Sequence, residues 1–323
     1  MLKKILLTSS LMIASTAPAA FAKAPTLEIK NFIGTVTIVN TPGDITVEGA
    51  AKDTLSQKGG HTEIDGGEEI KSTSCKSSNG NIKIKLGKWN WSKRVGGYTN
   101  IEDYPKLTIT APKDVHLDIS KSVIFGSAED LGSADIHISS CGDFETQDIA
   151  GDLDLYVSGS GDFNAGNIGD AMVKISGSGD VELGNMSSLN IGISGSGDLQ
   201  GGNVDGPVDI RLSGSGDAEI ENISGTLDYS SSGSSSFKAE SLDGNLDIKT
   251  TGSSDISIDD ASSDEAYIVS SGSSDISIDG TLGNVSVKAS GASDVDIESA
   301  TGERDVRRSA AASVNIGGKS YNH

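Results

Sequence analysis

The five residues Ser158-Gly-Ser-Gly-Asp162 decide the fold, because they return at a nearly constant spacing through the second half of the chain. The same letters end again at Asp180, Asp198 and Asp217, and six related turns bring the total to ten. Successive turns are 18 to 20 residues apart. A fixed period in this range indicates a solenoid, in which each repeat adds one layer to a stack.

Apolar residues keep fixed positions relative to the last residue of each turn, which we call the anchor. One position after the anchor stand Phe144, Phe163, Val181, Leu199, Ala218, Phe237, Ile256, Ile276, Val295 and Val314. Seven positions before it stand Ile136, Leu155, Val173, Ile191, Ile210, Tyr229, Ile248, Ile268, Val287 and Val306. Both columns have the parity that points inward on a strand. The pattern predicts an all-β fold, a right-handed parallel β-helix with rungs of about 19 residues. An antiparallel β-sandwich is the alternative, but it does not need an identical turn at a fixed period.

The chain divides into three parts on these criteria. Residues 1–22 are predicted to be a signal peptide, residues 23–120 to form N-terminal rungs and a cap, and residues 121–323 to form the repetitive shaft. Clean alternation at Leu27–Ile29, Ile82–Leu86 and Leu107–Ile109 favours solenoid strands in the N-terminal part. A polar loop at 86–105 interrupts them and carries both tryptophans of the protein.

The recurring Ser-Gly-Ser-Gly-Asp turn and the lead-in from Pro105 to Ile119 resemble the auto-transporter adhesin head GIN domain family of bacterial β-helix proteins. The resemblance covers roughly residues 27 to 316. It implies a right-handed β-helix in an envelope or secreted setting. It implies no catalytic motif, and the family's name suggests adhesion.

The N-terminus predicts export. Met1-Leu-Lys-Lys4 is positively charged, the stretch from Ile5 to Ala14 is apolar, and Ala20-Phe-Ala22 is a cleavage signal. The expected location is the periplasm, the cell surface or the medium. An uncleaved anchor helix is the alternative, and no membrane span is predicted in the mature chain.

The net charge indicates which classes of partner the protein can bind, and the cysteine content indicates whether a disulfide can form. A formal charge of −21 repels nucleic acid, so we expect an envelope protein or a glycan as partner and no nucleic acid. Cys75 and Cys141 are the two cysteines. An oxidising compartment favours a disulfide between them, and two unpaired thiols are the alternative.

The anchor aspartates are the most repeated polar residues. Eight of the ten anchors keep the carboxylate: Asp143, Asp162, Asp180, Asp198, Asp217, Asp255, Asp275 and Asp294. Stacked carboxylates about 4.8 Å apart repel by about 1 kcal/mol per pair even in water. Hydrogen bonds from turn amides and hydroxyls could offset this, as could calcium. Ser236 and Ser313 replace two anchors, which favours turn capping, so no cofactor is predicted.

Enzyme chemistry finds little support in the sequence. His116, Asp118 and His137 fall on outward-facing positions of neighbouring rungs, where a His beside a carboxylate could act as an acid–base pair. A surface ion pair is the interpretation that we prefer. The repeat Asp residues obey the period, so no catalytic residue is assigned and the protein is predicted not to be an enzyme.

The loop at 86–105 is the predicted ligand-binding site. Its candidate residues are Trp89, Trp91, Arg94, Tyr98 and Tyr104. Exposed aromatic residues beside cations suit glycan or protein contacts. This holds if the protein binds a ligand; for the two tryptophans we prefer the interpretation that they pack down as a lid on the solenoid. Three function classes stay open: adhesion-like surface binding, a purely structural periplasmic accessory protein, and a polysaccharide-acting enzyme.

Overall fold

The computed structural model describes residues 24–67, 70, 73–78, 81–86, 97–309 and 311–321. Across these residues the chain is nearly all β and forms a parallel β-solenoid of about eleven turns with rungs of about 19 residues. The all-β solenoid and its period are therefore confirmed. The predicted signal peptide lies outside the described residues.

The strands of the N-terminal part are β1 (Thr26–Lys30), β2 (Ile33–Asn40), β3 (Thr46–Glu48), β4 (Leu55–Lys58), β5 (His61–Asp65), β6 (Thr73–Ser78), β7 (Asn81–Leu86), β8 (Thr99–Asn100), β9 (Lys106–Ala111) and β10 (His116–Ala128). A short 3-10 helix, Ile101–Asp103, separates β8 from β9. The shaft continues with β11 (Ser133–Ile138), β12 (Phe144–Thr146), β13 (Leu153–Val157), β14 (Phe163–Ala165), β15 (Ile168–Ile175), β16 (Val181–Leu183), β17 (Met186–Ile193), β18 (Leu199–Gly201), β19 (Val208–Leu212) and β20 (Ala218–Ile223). It ends with β21 (Leu227–Ser231), β22 (Ser236–Asp243), β23 (Leu246–Thr250), β24 (Asp255–Ser270), β25 (Asp275–Ala289), β26 (Asp294–Ala300), β27 (Arg304–Arg308), β28 (Ser313–Ile316) and β29 (Lys319–Ser320).

Two long stacks of parallel strands form the walls of the solenoid. The first runs β5-β1-β10-β11-β13-β15-β17-β19-β21-β23-β24-β25-β27, and the second runs β9-β2-β10-β12-β14-β16-β18-β20-β22-β24-β25-β26-β28. Isolated bridges such as Leu131–Ile149 and Met186–Val204 mark a third side. The two predicted apolar columns line the interior, and all their members are buried except Val306, which is partly buried on the last rung of the first stack.

The N-terminal rungs are not in sequence order. Strand β5 lies below β1 and β9 lies below β2, so the first layer is built from segments that follow the second layer in the chain. Strands β4 and β3 pair antiparallel with β5 and β9 and cover this end. Because β4 and β3 occupy the outer edges of β5 and β9, these described strands do not offer an open parallel edge with which another chain could pair.

The interpretation of Ile82–Leu86 as a solenoid strand was wrong. These residues form β7, which pairs antiparallel with β6 and β8 in a separate three-stranded sheet. Alternating apolar residues report a buried face, but they do not say which surface covers it. Here the cover is the outside of the solenoid rather than its interior.

The shaft contains two kinds of turn. In the first kind, the Gly-type turn, glycine precedes the anchor, and a Cβ on Gly197 would stand 2.1 Å from the carbonyl oxygen of Gly179. The same Cβ would stand 3.0 Å from Cγ2 of Ile175. The carboxylate of each Gly-type anchor accepts the amide of the next anchor, as Asp180 accepts from Asp198 at 3.0 Å. Carboxylate and glycine are therefore both parts of this turn.

In the second kind, the Ser-type turn, a buried serine takes the place of that glycine at Ser235, Ser254, Ser274 and Ser293. The next anchor amide then donates to the backbone carbonyl of this serine, as Asp255 does to Ser235 at 3.1 Å. Four residues before the serine, the larger aliphatic side chain of the Gly-type rungs becomes Ser231, Thr250, Ser270 or Ala289. Buried hydroxyls pair there, with 2.6 Å between the Oγ atoms of Ser231 and Ser254. Serine replaces glycine where a smaller partner makes room for it.

The C-terminal end is closed by a side chain. Arg308 stands five residues before the last anchor, where earlier rungs carry an inward aliphatic or hydroxyl group. Its guanidinium donates to the carbonyls of Tyr321, Ser309 and Ala312, the last at 2.6 Å. The antiparallel pair β28–β29 lies beside it.

Candidate functional site

The three-stranded sheet of β6, β7 and β8 is attached to the side of the solenoid. Its inner face buries Ile84 against Ile33 and Val123, which point outward from β2 and β10. Cys75 of β6 is joined by a disulfide to Cys141 of the first repeat turn, with Cα atoms 6.3 Å apart, so the predicted bond is confirmed. The position of this sheet is fixed by both an apolar contact and a covalent bond.

The outer face of this sheet is basic. Strand alternation places Lys76 of β6 and Lys83 and Lys85 of β7 on the side away from the solenoid, and Lys76 pairs directly with Lys83 in the register. Tyr98 stands among them with 38% of its surface exposed. The Nζ of Lys76 lies 4.8 Å from the centroid of the Tyr98 ring and that of Lys85 lies 5.9 Å from it. We call these four residues the basic face.

The sequence around the basic face has an unusual charge. Residues 70–100 contain six lysines and Arg94 but no aspartate or glutamate, so they carry +7 in a chain of net charge −21. Of these seven charged residues, Lys76, Lys83 and Lys85 are the ones that lie within the described residues. A compact patch of charge opposite to that of the whole protein attracts partners that the rest of the surface repels.

The residues that we predicted for ligand binding have different positions. Tyr98 is exposed on the basic face, whereas Tyr104 is half-buried and packs against the apolar contact beneath the sheet. Trp89, Trp91 and Arg94 lie outside the described residues, so the choice between a binding site and a lid stays open. Sequence reasoning missed Lys76, Lys83 and Lys85, although the alternation of lysine with isoleucine in β7 signals a sheet with one basic side.

A groove of about 480 Å³ runs along the junction between the sheet and the solenoid. Phe32, Leu86 and Tyr104 line it together with Ala50 and Leu107, and its walls are mainly apolar. Leu86 of β7 and Thr99 of β8 line it, so the groove adjoins the small sheet.

The predicted acid–base residue His116 contacts a different carboxylate on the surface. The Nε2 of His116 lies 3.6 Å from Oδ2 of Asp135, and its Nδ1 lies 2.7 Å from the hydroxyl of Ser133. Burial raises the pKa of Asp118, and the neighbouring carboxylates of Glu28 and Asp135 add to the shift.

The anchor aspartates divide according to the kind of turn. Asp143, Asp162, Asp180, Asp198 and Asp217 each accept the anchor amide of the next rung. Asp255, Asp275 and Asp294 stack in register and are exposed. In the Gly-type turns one carboxylate oxygen is therefore committed to the backbone, as turn capping requires.

Together these features define a class of protein: a parallel β-solenoid that carries a disulfide-anchored basic sheet on its side. The family described as "Putative auto-transporter adhesin, head GIN domain" matches residues 43–241 and 226–320, and the chain belongs to it. No curated protein and no solved structure matches the chain. None of the described residues forms a helix long and apolar enough to cross a membrane.

Proposed function

We propose that this protein is an exported, non-enzymatic, adhesin-like solenoid that binds an anionic glycan of a cell envelope through its basic face. The expected location is the periplasm, the cell surface or the medium. The family description supports an adhesin-like role in an exported setting. The glycan and the contact surface are our extension of it.

The charge of the small sheet is the observation that carries the proposal. Lys76, Lys83 and Lys85 surround the exposed ring of Tyr98 on a protein that is otherwise strongly acidic. An aromatic ring contributes a flat apolar contact for a sugar, and ammonium groups pair with carboxylate or sulfate groups. The disulfide and the apolar contact hold this face rigid, which lowers the entropy lost on binding.

The test measures retention of residues 23–323 on immobilised polygalacturonate, heparin and dextran. Binding to the two polyanions but not to neutral dextran is expected, and it should weaken as salt rises because exposed charges are screened. The triple variant Lys76→Gln/Lys83→Gln/Lys85→Gln should bind about 10- to 100-fold more weakly, since each ammonium contributes up to about 1 kcal/mol.

A matched variant controls for net charge. Lys174→Gln/Lys249→Gln/Lys288→Gln removes the same charge from the first stack of the shaft and should keep the affinity of the unchanged protein. Equal losses in both variants, or equal retention on dextran, would refute the basic face as the binding surface. Retention of no polysaccharide would favour the purely structural role.

A further inference from the structure

A second cluster of polar side chains lies at the other side of the N-terminal rungs. Strands β5 and β1 are parallel neighbours, and their register places Glu63 directly beside Glu28. His61 begins β5 on the same outward face. One donor atom from each of these three side chains lies within 4.8 Å of the others.

The two carboxylates use their oxygens for different partners. Lys30 lies 3.2 Å from Oε1 of Glu28 and 3.0 Å from Oε1 of Glu63. The Oε2 atoms face the other way, toward the imidazole of His61. Lysine therefore neutralises one side of the pair and leaves the other side with two carboxylate oxygens and a ring nitrogen.

The distances on that side approach those between ligands of one metal ion. The Nε2 of His61 lies 3.4 Å from Oε2 of Glu28 and 3.9 Å from Oε2 of Glu63. A direct hydrogen bond would be about 2.9 Å, whereas two donors on one tetrahedral Zn²⁺ stand about 3.3 Å apart at bond lengths of about 2.0–2.2 Å. Small side-chain rotations close the difference without moving the strands.

We propose that Glu28, His61 and Glu63 form a binding site for Zn²⁺ or a similar divalent transition metal. One imidazole and two carboxylates suit this class of ion, whereas calcium takes six to eight oxygen ligands that the cluster does not supply. The side chain of His61 is 44% exposed, so solvent or a partner's donor can take the fourth position. The ion joins β5 to β1 across the two layers whose order in the chain is reversed.

The site is tested by titrating untagged residues 23–323 with Zn²⁺ in a calorimeter. One ion per chain with micromolar affinity is expected, together with a higher melting temperature in zinc, because the ion binds the folded chain. His61→Gln should weaken binding by about tenfold or more and abolish the zinc-dependent rise in melting temperature. Glu63→Gln should weaken binding as well.

His137→Gln is the matched control, because His137 lies exposed on the same wall and its ring contacts that of Tyr156 at a tilted angle, with ring centroids 5.7 Å apart. It should bind zinc like the unchanged protein. Undetectable binding at millimolar zinc, full binding by His61→Gln, loss of binding in His137→Gln, or equal affinity for calcium would each overturn the site.

Discussion

The backbone amide of Asp180 donates to Oδ1 of Asp162, one rung earlier in the stack, at 2.9 Å. In the Ser-type turns the corresponding amide of Asp275 donates to the backbone carbonyl of Ser254 at 3.1 Å. The anchor carboxylate is therefore an acceptor for the next rung only in Gly-type turns. This explains why Ser236 can replace it, because the amide of Asp255 is bonded to the backbone carbonyl of Ser235. Ser313 is the last of the ten anchors, so its side chain has no later anchor amide to accept.

Asp162→Ala should lower the free energy of unfolding by about 1 kcal/mol, since it removes the acceptor of the Asp180 amide. Asp162→Asn keeps an Oδ1 acceptor and should restore most of this loss. Asp275→Ala, in a Ser-type turn, should change stability little. Denaturant melts of the three variants check the prediction, and equal losses for Asp162→Ala and Asp275→Ala would show that the two turns do not differ in this way.

Gly197→Ala should destabilise the shaft by about 1–3 kcal/mol, because the added Cβ meets the carbonyl of Gly179 and the side chain of Ile175. Gly192→Ala is the control. Its Cβ would meet only the side chain of Lys174 at 3.9 Å, so stability should stay within about 0.5 kcal/mol. Thermal melts of both variants check the prediction. If Gly197→Ala left the stability unchanged, the backbone of the turn would be able to move away from the added Cβ.

Asp118→Asn should raise the melting temperature at pH 7. Folding raises the pKa of Asp118, through burial first and then through the like charges of Glu28 and Asp135. A carboxyl with a raised folded pKa destabilises the fold at neutral pH, and this effect vanishes as the pH falls below the unfolded value of about 3.9.

The difference in melting temperature between Asp118→Asn and the unchanged protein should therefore shrink to zero between pH 7 and pH 3.5. Asp154→Asn is the control. Asp154 lies beside Asp135 on one neighbouring strand but beside the uncharged Met172 on the other, so its melting temperature should rise less. If this difference in melting temperature widened on acidification, the charge of Asp118 would not be what destabilises the fold at neutral pH.

Arg308→Met should loosen the last rung, because the carbonyls of Ser309, Ala312 and Tyr321 lose their donor. Faster amide hydrogen exchange is expected in β28, with little change in the middle of the shaft. Arg307→Met breaks only an exposed pair with Asp305 and should leave exchange in β28 unchanged. Similar amide exchange in β28 of both variants would show that Arg308 does not stabilise the last rung.

The sequence was sufficient for the shaft because its period and its two apolar columns follow from stacking alone. Phe163 and Ile191 are buried where the alternation placed them. The pairing of Cys75 with Cys141 could also be predicted, since Cys141 replaces a serine on the outside of a repeat turn.

The N-terminal part could not be predicted in the same way. Nothing local to Ile82 or Ile84 distinguishes a face buried inside the solenoid from one buried against its outside, because only the packing against Val123 and Ile33 decides this. The cluster of Glu28 with His61 and Glu63 depends on β5 lying below β1, a reversal of chain order that no periodicity reports. The change from Gly-type to Ser-type turns can be seen in the sequence. What the sequence does not show is that the acceptor of the next anchor amide changes from a carboxylate to a backbone carbonyl.

Binding through the basic face can be located on the unmodified chain by hydrogen–deuterium exchange with and without saturating polygalacturonate. Slower exchange is expected in peptides covering β6, β7 and β8, with the shaft from β13 to β19 unchanged. Protection confined to the shaft, or no protection at saturation, would contradict binding through the basic face.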